Sequence, residues 1–145
     1  MNTAIISKLN ELLASSYTLY LKTHNYHWNV TGPMFTTLHT LFETQYTELA
    51  LAVDEIAERI RTLGAKAPGS YKEFAEYSRV QDADGVPPAV DMIKQLMVDM
   101  DIVVGVAQEL IALAEETRDQ ATADLATRRI DVHQKAAWML RSHLE

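Results

Sequence analysis

Four side chains on one helical stretch could hold a metal: His39, Glu43, Asp54 and Glu58. His39 and Glu43 stand four residues apart, as do Asp54 and Glu58, so each pair shares a helix face. Eleven residues separate Glu43 from Asp54, close to three whole turns, and both pairs look roughly the same way. That way is not the apolar one. The stripe through Phe42 and Leu49 marks the core, and the four polar residues lie roughly 60–160° around from it. A solvated polar face is the ordinary fate of such residues. Three features argue against it here. His39 and Glu43 form a ligand-like pair; the residues between the pairs are Thr47, Ala50 and Leu51 rather than a Lys/Glu mixture; and the four positions are symmetric about a point between residues 48 and 49.

The symmetry has a physical use. The pairs lie ~16 Å apart along the axis, too far to share a metal within one helix. A second copy packed antiparallel about residues 48–49 would bring His39 and Glu43 level with the other copy's Glu58 and Asp54. A two-fold contact is isologous and makes two identical sites. Imidazole plus carboxylate, without sulfur, suits iron or manganese, with zinc as a competitor. His27 could complete the set, although a lone His on an apolar stripe is more often a hydrogen-bonded core residue. Trp28 reads first as packing. His24 makes an HxxH pair with His27, a weak signal that fits a supporting or surface residue equally well. The Glu-x-x-His motif of di-iron bundles is absent, which favours a site between copies over one within the chain.

The elements that must position these residues are helices. Apolar residues recur at helical spacing from Ile6 through Tyr20, and His27 points with them. Gly32-Pro33 stops that helix. Phe35, Phe42, Leu49, Ile56 and Leu63 repeat every seven residues along the next, which Gly64 ends. Ser70-Tyr71-Lys72-Glu73 matches a capping box and starts a short helix. A polar loop leads to Pro87-Pro88 and a third long helix, whose stripe is Val90, Ile93, Met97, Met100, Val104, Ala107, Ile111 and Ala114. A fourth carries Leu125, Val132, Ala136, Met139 and Leu140. The expected helices span about 3–30, 34–63, 71–77, 88–116 and 122–144. The fold class is all-α: a four-helix bundle over residues 1–145 as a single domain, with a short extra helix in the connection between helices two and three. That connection is long enough to cross over and leave those helices parallel.

The chain has 145 residues, no cysteine and a formal net charge of -7. Length and composition suit one domain with a real core. Disulfides, zinc fingers and iron–sulfur clusters are excluded. The charge argues against a basic nucleic-acid surface. No apolar run approaches a membrane span of ~20 residues, and the start reads as helix rather than signal peptide; the expected compartment is the cytoplasm. Asn29-Val30-Thr31 matches a glycosylation sequon, read as chance without a secretory signal.

HWNVTG (27–32), Phe35, Leu38-His39, Phe42-Glu43, Tyr46 and DEIAERI (54–60) together resemble the Dps family of mini-ferritins, and so does the ending AWMLRSHLE. The resemblance covers nearly the whole chain. It implies a ferritin-like bundle assembled as a homododecamer, a hollow cage built from antiparallel two-fold dimers. It implies a ferroxidase centre at each dimer interface, with His27, His39 and Glu43 from one subunit and Asp54 and Glu58 from its mate. The family commonly has Asp where this chain has Glu43. Trp28 matches a tryptophan beside the centre that takes up oxidising equivalents. The implied reaction oxidises Fe(II), hydrogen peroxide preferred over dioxygen, and stores ferric oxyhydroxide, protecting DNA from oxidative damage. Asp119 and Asp124 resemble residues lining an acidic three-fold iron pore; the bland reading is helix capping. Glu48 and Glu55 are candidates for an acidic inner wall. Two other functions compete: nucleoid compaction by DNA binding, and metal sequestration with little ferroxidase activity. Direct DNA binding is not expected with this charge and only Lys8 in the first ten residues.

Overall fold

The computed structural model describes residues 1–145 as five helices with no strands. They are α1 (Thr3–Asn29), α2 (Phe35–Thr62), α3 (Tyr71–Tyr77), α4 (Ala89–Glu116) and α5 (Gln120–Arg141). Each boundary has a local cause. The Asn2 side chain accepts from Ile5 N–H and starts α1. Gly32 turns the chain into α2 at φ 106°, a region only glycine occupies freely. Ser70 caps α3, its Oγ accepting from Glu73 N–H at 3.2 Å, and the Glu73 carboxylate reaches back over the cap to accept from Gly69 N–H at 3.2 Å. Helix α5 departs from expectation at both ends. Asp119 caps it by accepting from Thr122 N–H, so it begins at Gln120 rather than Thr122. Its end falls at Arg141 rather than Leu144, because His143 and Leu144 bond three residues back and tighten the last turn.

Side-chain contacts fix the topology. Residues 27 and 39 touch, as do 20 and 46, so α1 and α2 are antiparallel. Lys8 reaches Glu109, Lys22 reaches Asp99 and Tyr26 reaches Gln95, so α4 is antiparallel to α1. Helices α2 and α4 are therefore parallel, and the 63–88 connection crosses over. A buried ion pair holds that connection down: Lys22 Nζ lies 3.0 Å from Asp99 Oδ2 and donates to the Gln81 carbonyl at 3.1 Å. Burial pushes the Asp99 carboxyl up, against the pull of Lys22.

Ile5, Leu9, Leu12 and Leu19 of α1, Leu38, Phe42, Leu49 and Ile56 of α2, and Ile93, Leu96 and Leu110 of α4 are almost fully buried. Each contributes about 1.5–3 kcal/mol of burial. Three residues of the expected stripes are not core: Phe35, Val90 and, in the last turn of α5, Met139. Phe35 and Val90 are each 41% exposed, because each lies in a first turn beyond the packed middle of the bundle. In the other direction, α5 brings two polar residues inside. Arg129 is 3% exposed and His133 1%. Arg129 makes a bidentate pair with Glu48 at 2.5 and 2.8 Å and donates to His133 Nε2 at 3.1 Å. His133 must then carry its proton on Nδ1, which faces the Met100 sulfur at 3.2 Å. The seam between α2 and α5 is thus largely polar, with Arg128–Glu55 and Arg59–Asp119 completing it.

Two stability predictions follow from this packing. Burial, with Arg129 alongside, pushes the His133 imidazole down to about 3, whereas it titrates near ~6.5 in an unfolded chain. Between those values the unfolded chain binds the extra proton, so stability is full above ~6.5 and falls as pH drops toward 3. The gap is worth on the order of 4–5 kcal/mol per chain. His24, also held low by desolvation and by His27, acts in the same direction. Thermal unfolding from about pH 7 to about pH 4.5 is expected to show this slope, and His133→Gln, which keeps an acceptor for Arg129, to flatten it; an equal slope in the variant would disprove the assignment. Arg118 sits at φ 57° just past α4, the sole non-glycine residue at positive φ. Arg118→Gly should raise the unfolding free energy by about 1 kcal/mol, and an unchanged or lower melting temperature would count against strain there.

Candidate metal centre

The end of α1 and the start of α2 are clasped by their histidines. His27 Nδ1 donates to the His39 carbonyl at 2.6 Å, and His39 Nδ1 donates to the His27 carbonyl at 2.7 Å. The rings stack with centroids 3.8 Å apart and planes 13° from parallel. A carbonyl oxygen only accepts, so both rings carry their proton on Nδ1. Both Nε2 atoms therefore keep a free lone pair, the state a metal requires of histidine, with a backbone partner fixing the ring. Phe35 stacks on the far side of His39 at 5.0 Å. His27 is buried and His39 half-buried.

The carboxylates divide into two groups. On α2, Glu48 and Glu55 face α5 and are paired with Arg129 and Arg128. The expected inner wall at these positions is therefore made of ion pairs rather than free acid. Glu43, Asp54 and Glu58 are exposed and have no cationic partner in the chain. Asp54 and Glu58 lie close enough to share a proton: the hydrogen bond to Asp54, then its charge, pushes the Glu58 carboxyl up. Uncompensated acids on neighbouring turns repel, and a cation placed between them would relieve the repulsion.

Within one chain these two groups do not meet. No three His, Asp or Glu side chains converge to hold a metal. His39, with His27 of α1 stacked on it, and Glu43 sit at one end of α2, Asp54 and Glu58 toward the other, with exposed Thr47, Ala50 and Leu51 between. Leu51 is 72% exposed, although it is large and apolar.

The other predicted residues fall as follows. Trp28 is 58% exposed and packs against His24, ring centroids 3.9 Å apart and planes tilted by 32°, rather than against His27 or His39. His24 lies between Trp28 and Tyr46, the latter 4.0 Å away, and so links the tryptophan to the clasp. The sequence held only a weak hint of this, the HxxH spacing; the partner Tyr46 lies on another helix. Asp119 is engaged as a cap, accepting from Thr122 N–H and Oγ and pairing with Arg59 at 2.8 Å. Asp124, one turn on, is exposed and accepts only from Gln120 at 3.0 Å. Arg129 and His133 are buried although their charge and polarity point outward in any pattern reading.

No helix is long and apolar enough to cross a membrane. The ferritin-like domain family matches residues 6–145. The DNA protection during starvation protein 2 of Bacillus anthracis is 39% identical over 144 residues, covering 99% of both chains. The crystal structure of a Dps protein from Bacillus brevis superposes with a TM-score of 0.95 at 35% identity, covering 100% of both chains. That of a Vibrio cholerae Dps, described as a member of a broad superfamily of ferritin-like diiron-carboxylate proteins, gives 0.94 at 32% identity over 98% of this chain and 89% of that one. With the clasped histidines, the unpaired acids of α2 and a five-helix order shared along the whole chain, this protein belongs to the Dps family of ferritin-like proteins.

Proposed function

We propose that this protein oxidises Fe(II) with hydrogen peroxide and stores the ferric product in a cage of twelve copies, at centres divided between two-fold related subunits. The observation that carries the reading is the separation on α2: two imidazoles with free Nε2 atoms and the Glu43 carboxylate at one end, two unpaired carboxylates at the other, and no intrachain cluster. An antiparallel partner centred on residues 48–49 supplies each half with the other and covers Leu51. His27, His39 and Glu43 of one copy, with Asp54 and Glu58 of its mate, then present two nitrogens and three carboxylates, a donor set for ferrous and ferric ions. Zinc and manganese fit the same donors as competitors.

The protein's part in the chemistry is to hold substrate iron close and charge-neutralised. Two ferrous ions side by side give one electron each to one peroxide, whose O–O bond breaks to give water and no free radical. The carboxylates stabilise the ferric charge as it develops. The Nδ1–carbonyl clasp keeps both rings aimed without reorganisation. Glu43 is one methylene longer than the aspartate common at this position, which changes how far its oxygens reach toward the second iron. Trp28, reached through His24, is a sink for stray oxidising equivalents. Asp124, exposed and without a cation, is the better of the two candidate pore carboxylates, since Asp119 is taken up by its cap and Arg59.

The divided site is tested by complementation. The double variant His27→Ala/His39→Ala and the double variant Asp54→Ala/Glu58→Ala should each lose peroxide-dependent Fe(II) oxidation under anaerobic conditions. Unfolded together in equal amounts and reassembled, they should regain about a quarter of the wild-type sites, one per mixed dimer. No recovery in a mixture shown to contain mixed dimers would place the ligands elsewhere. The competing DNA-compaction reading predicts retarded duplex DNA on gels at physiological salt. With the chain's charge of -7 we expect no shift.

A further inference from the structure

An unbroken file of aromatic rings leads from the clasped histidines along the outer face of α1 to α3. His27 meets Tyr46 at 5.2 Å between centroids, Tyr46 meets Tyr20 at 6.0 Å, Tyr20 meets Tyr17 at 5.6 Å, and Tyr17 meets Tyr71 at 6.5 Å. Phe74 braces the far end, stacked on Tyr17 at 4.7 Å. On α1 the members Tyr17, Tyr20, His24 and His27 are spaced three, four and three residues apart, one face of a helix. The file is not the hydrophobic core. The fully buried aromatics, Tyr26 and Phe42, stand outside it, while Tyr17, Tyr20 and Tyr46 are half-buried and Tyr71 is 74% exposed. Packing alone would be served as well by Phe or Leu at these positions. Instead every member beyond the histidines that bridges to the next ring is a phenol, the redox-active choice.

We propose that Tyr46, Tyr20, Tyr17 and Tyr71 form a conduit that carries single oxidising equivalents from the metal centre to the surface at α3. The inference rests on the oxidation chemistry proposed above. It concerns the case that chemistry handles badly, one ferrous ion at a centre built for two. Peroxide needs two electrons to break its O–O bond cleanly, and a lone ferrous ion supplies one. Tyr46 supplies the second electron together with its phenolic proton, so that one peroxide, one ferrous ion and one tyrosine give one ferric ion, hydroxide, water and a tyrosyl radical. Tyr20 then passes an electron and a proton to Tyr46, Tyr17 to Tyr20, and Tyr71 to Tyr17. The radical ends on the exposed Tyr71, where a one-electron, one-proton reductant of the thiol or ascorbate class returns it to the phenol. This exit differs from Trp28, which meets the file as a side branch through His24, itself stacked on Tyr46.

The assembled protein is loaded anaerobically with less than one Fe(II) per centre, mixed with peroxide and frozen at intervals for electron paramagnetic resonance. Parallel samples are digested, and oxidised or cross-linked tyrosines are located by mass spectrometry. The wild type should form ferric ion, a tyrosyl signal and oxidation products at Tyr71. Tyr20→Phe keeps the ring packing but interrupts the conduit. It should form ferric ion and a tyrosyl signal as before, yet lose the Tyr71 products. Equal oxidation of Tyr71 in wild type and Tyr20→Phe would overturn the conduit, as would ferric ion accumulating in the wild type with no tyrosyl signal. Failure of the wild type to form ferric ion at all would instead overturn the proposed function on which the conduit rests.

Discussion

Two hydrogen bonds between His27 and His39 hold together what the rest of the structure depends on. Each imidazole spends its one proton on the other's carbonyl, so neither ring can turn without breaking its own bond. The pair closes the hairpin of α1 and α2 across the Gly32-Pro33 break, and sets the register of the two helices. It also decides the chemistry, since the same bonds that join the helices leave the two outward nitrogens unprotonated. Structure and reactivity are the same interaction here. A clasp made by other side chains could join the helices as well, but would present nothing to a metal.

The electrostatics of α2 follow a division of labour. Acids facing α5 are neutralised by arginines that reach across the seam, one of them buried and steadied by His133. Acids on the opposite face are left bare. An isolated chain carries that repulsion as a standing cost, and a high negative charge adds to it. Bare acids beside exposed apolar side chains such as Leu51 make sense on a surface meant to be covered and charge-compensated by the same event. The pairing of Glu48 and Glu55 keeps the seam from competing for the same cations.

Much of this was legible in the residues. Helical period, the Gly32-Pro33 stop and the Ser70 capping box place the helices, since each is a local signal with a local cause. The spacing of His39, Glu43, Asp54 and Glu58 places them on a shared face, symmetric about residues 48–49, and the proposed two-fold pairing rests on that. What the spacing hides is whatever depends on a second element. The role of His27 rests on the carbonyl of His39, which no side-chain pattern records. Arg129 and His133 read as surface residues until α2 and α4 supply Glu48 and Met100 around them. Phe35 fits a heptad yet lies beyond the packed layer, because periodicity gives direction and not depth. Asp119 has the composition of a pore residue and the contacts of a cap.

The ~16 Å between the two ligand groups on α2 has a kinetic meaning. Under the proposed pairing, a lone chain holds every ligand and no site. The number of centres then rises with the square of the concentration of free chains until pairing is complete. A newly made chain cannot trap iron in a half-formed pocket, where one ion and one peroxide would do damage. In that scheme chemistry begins only once the partner has arrived.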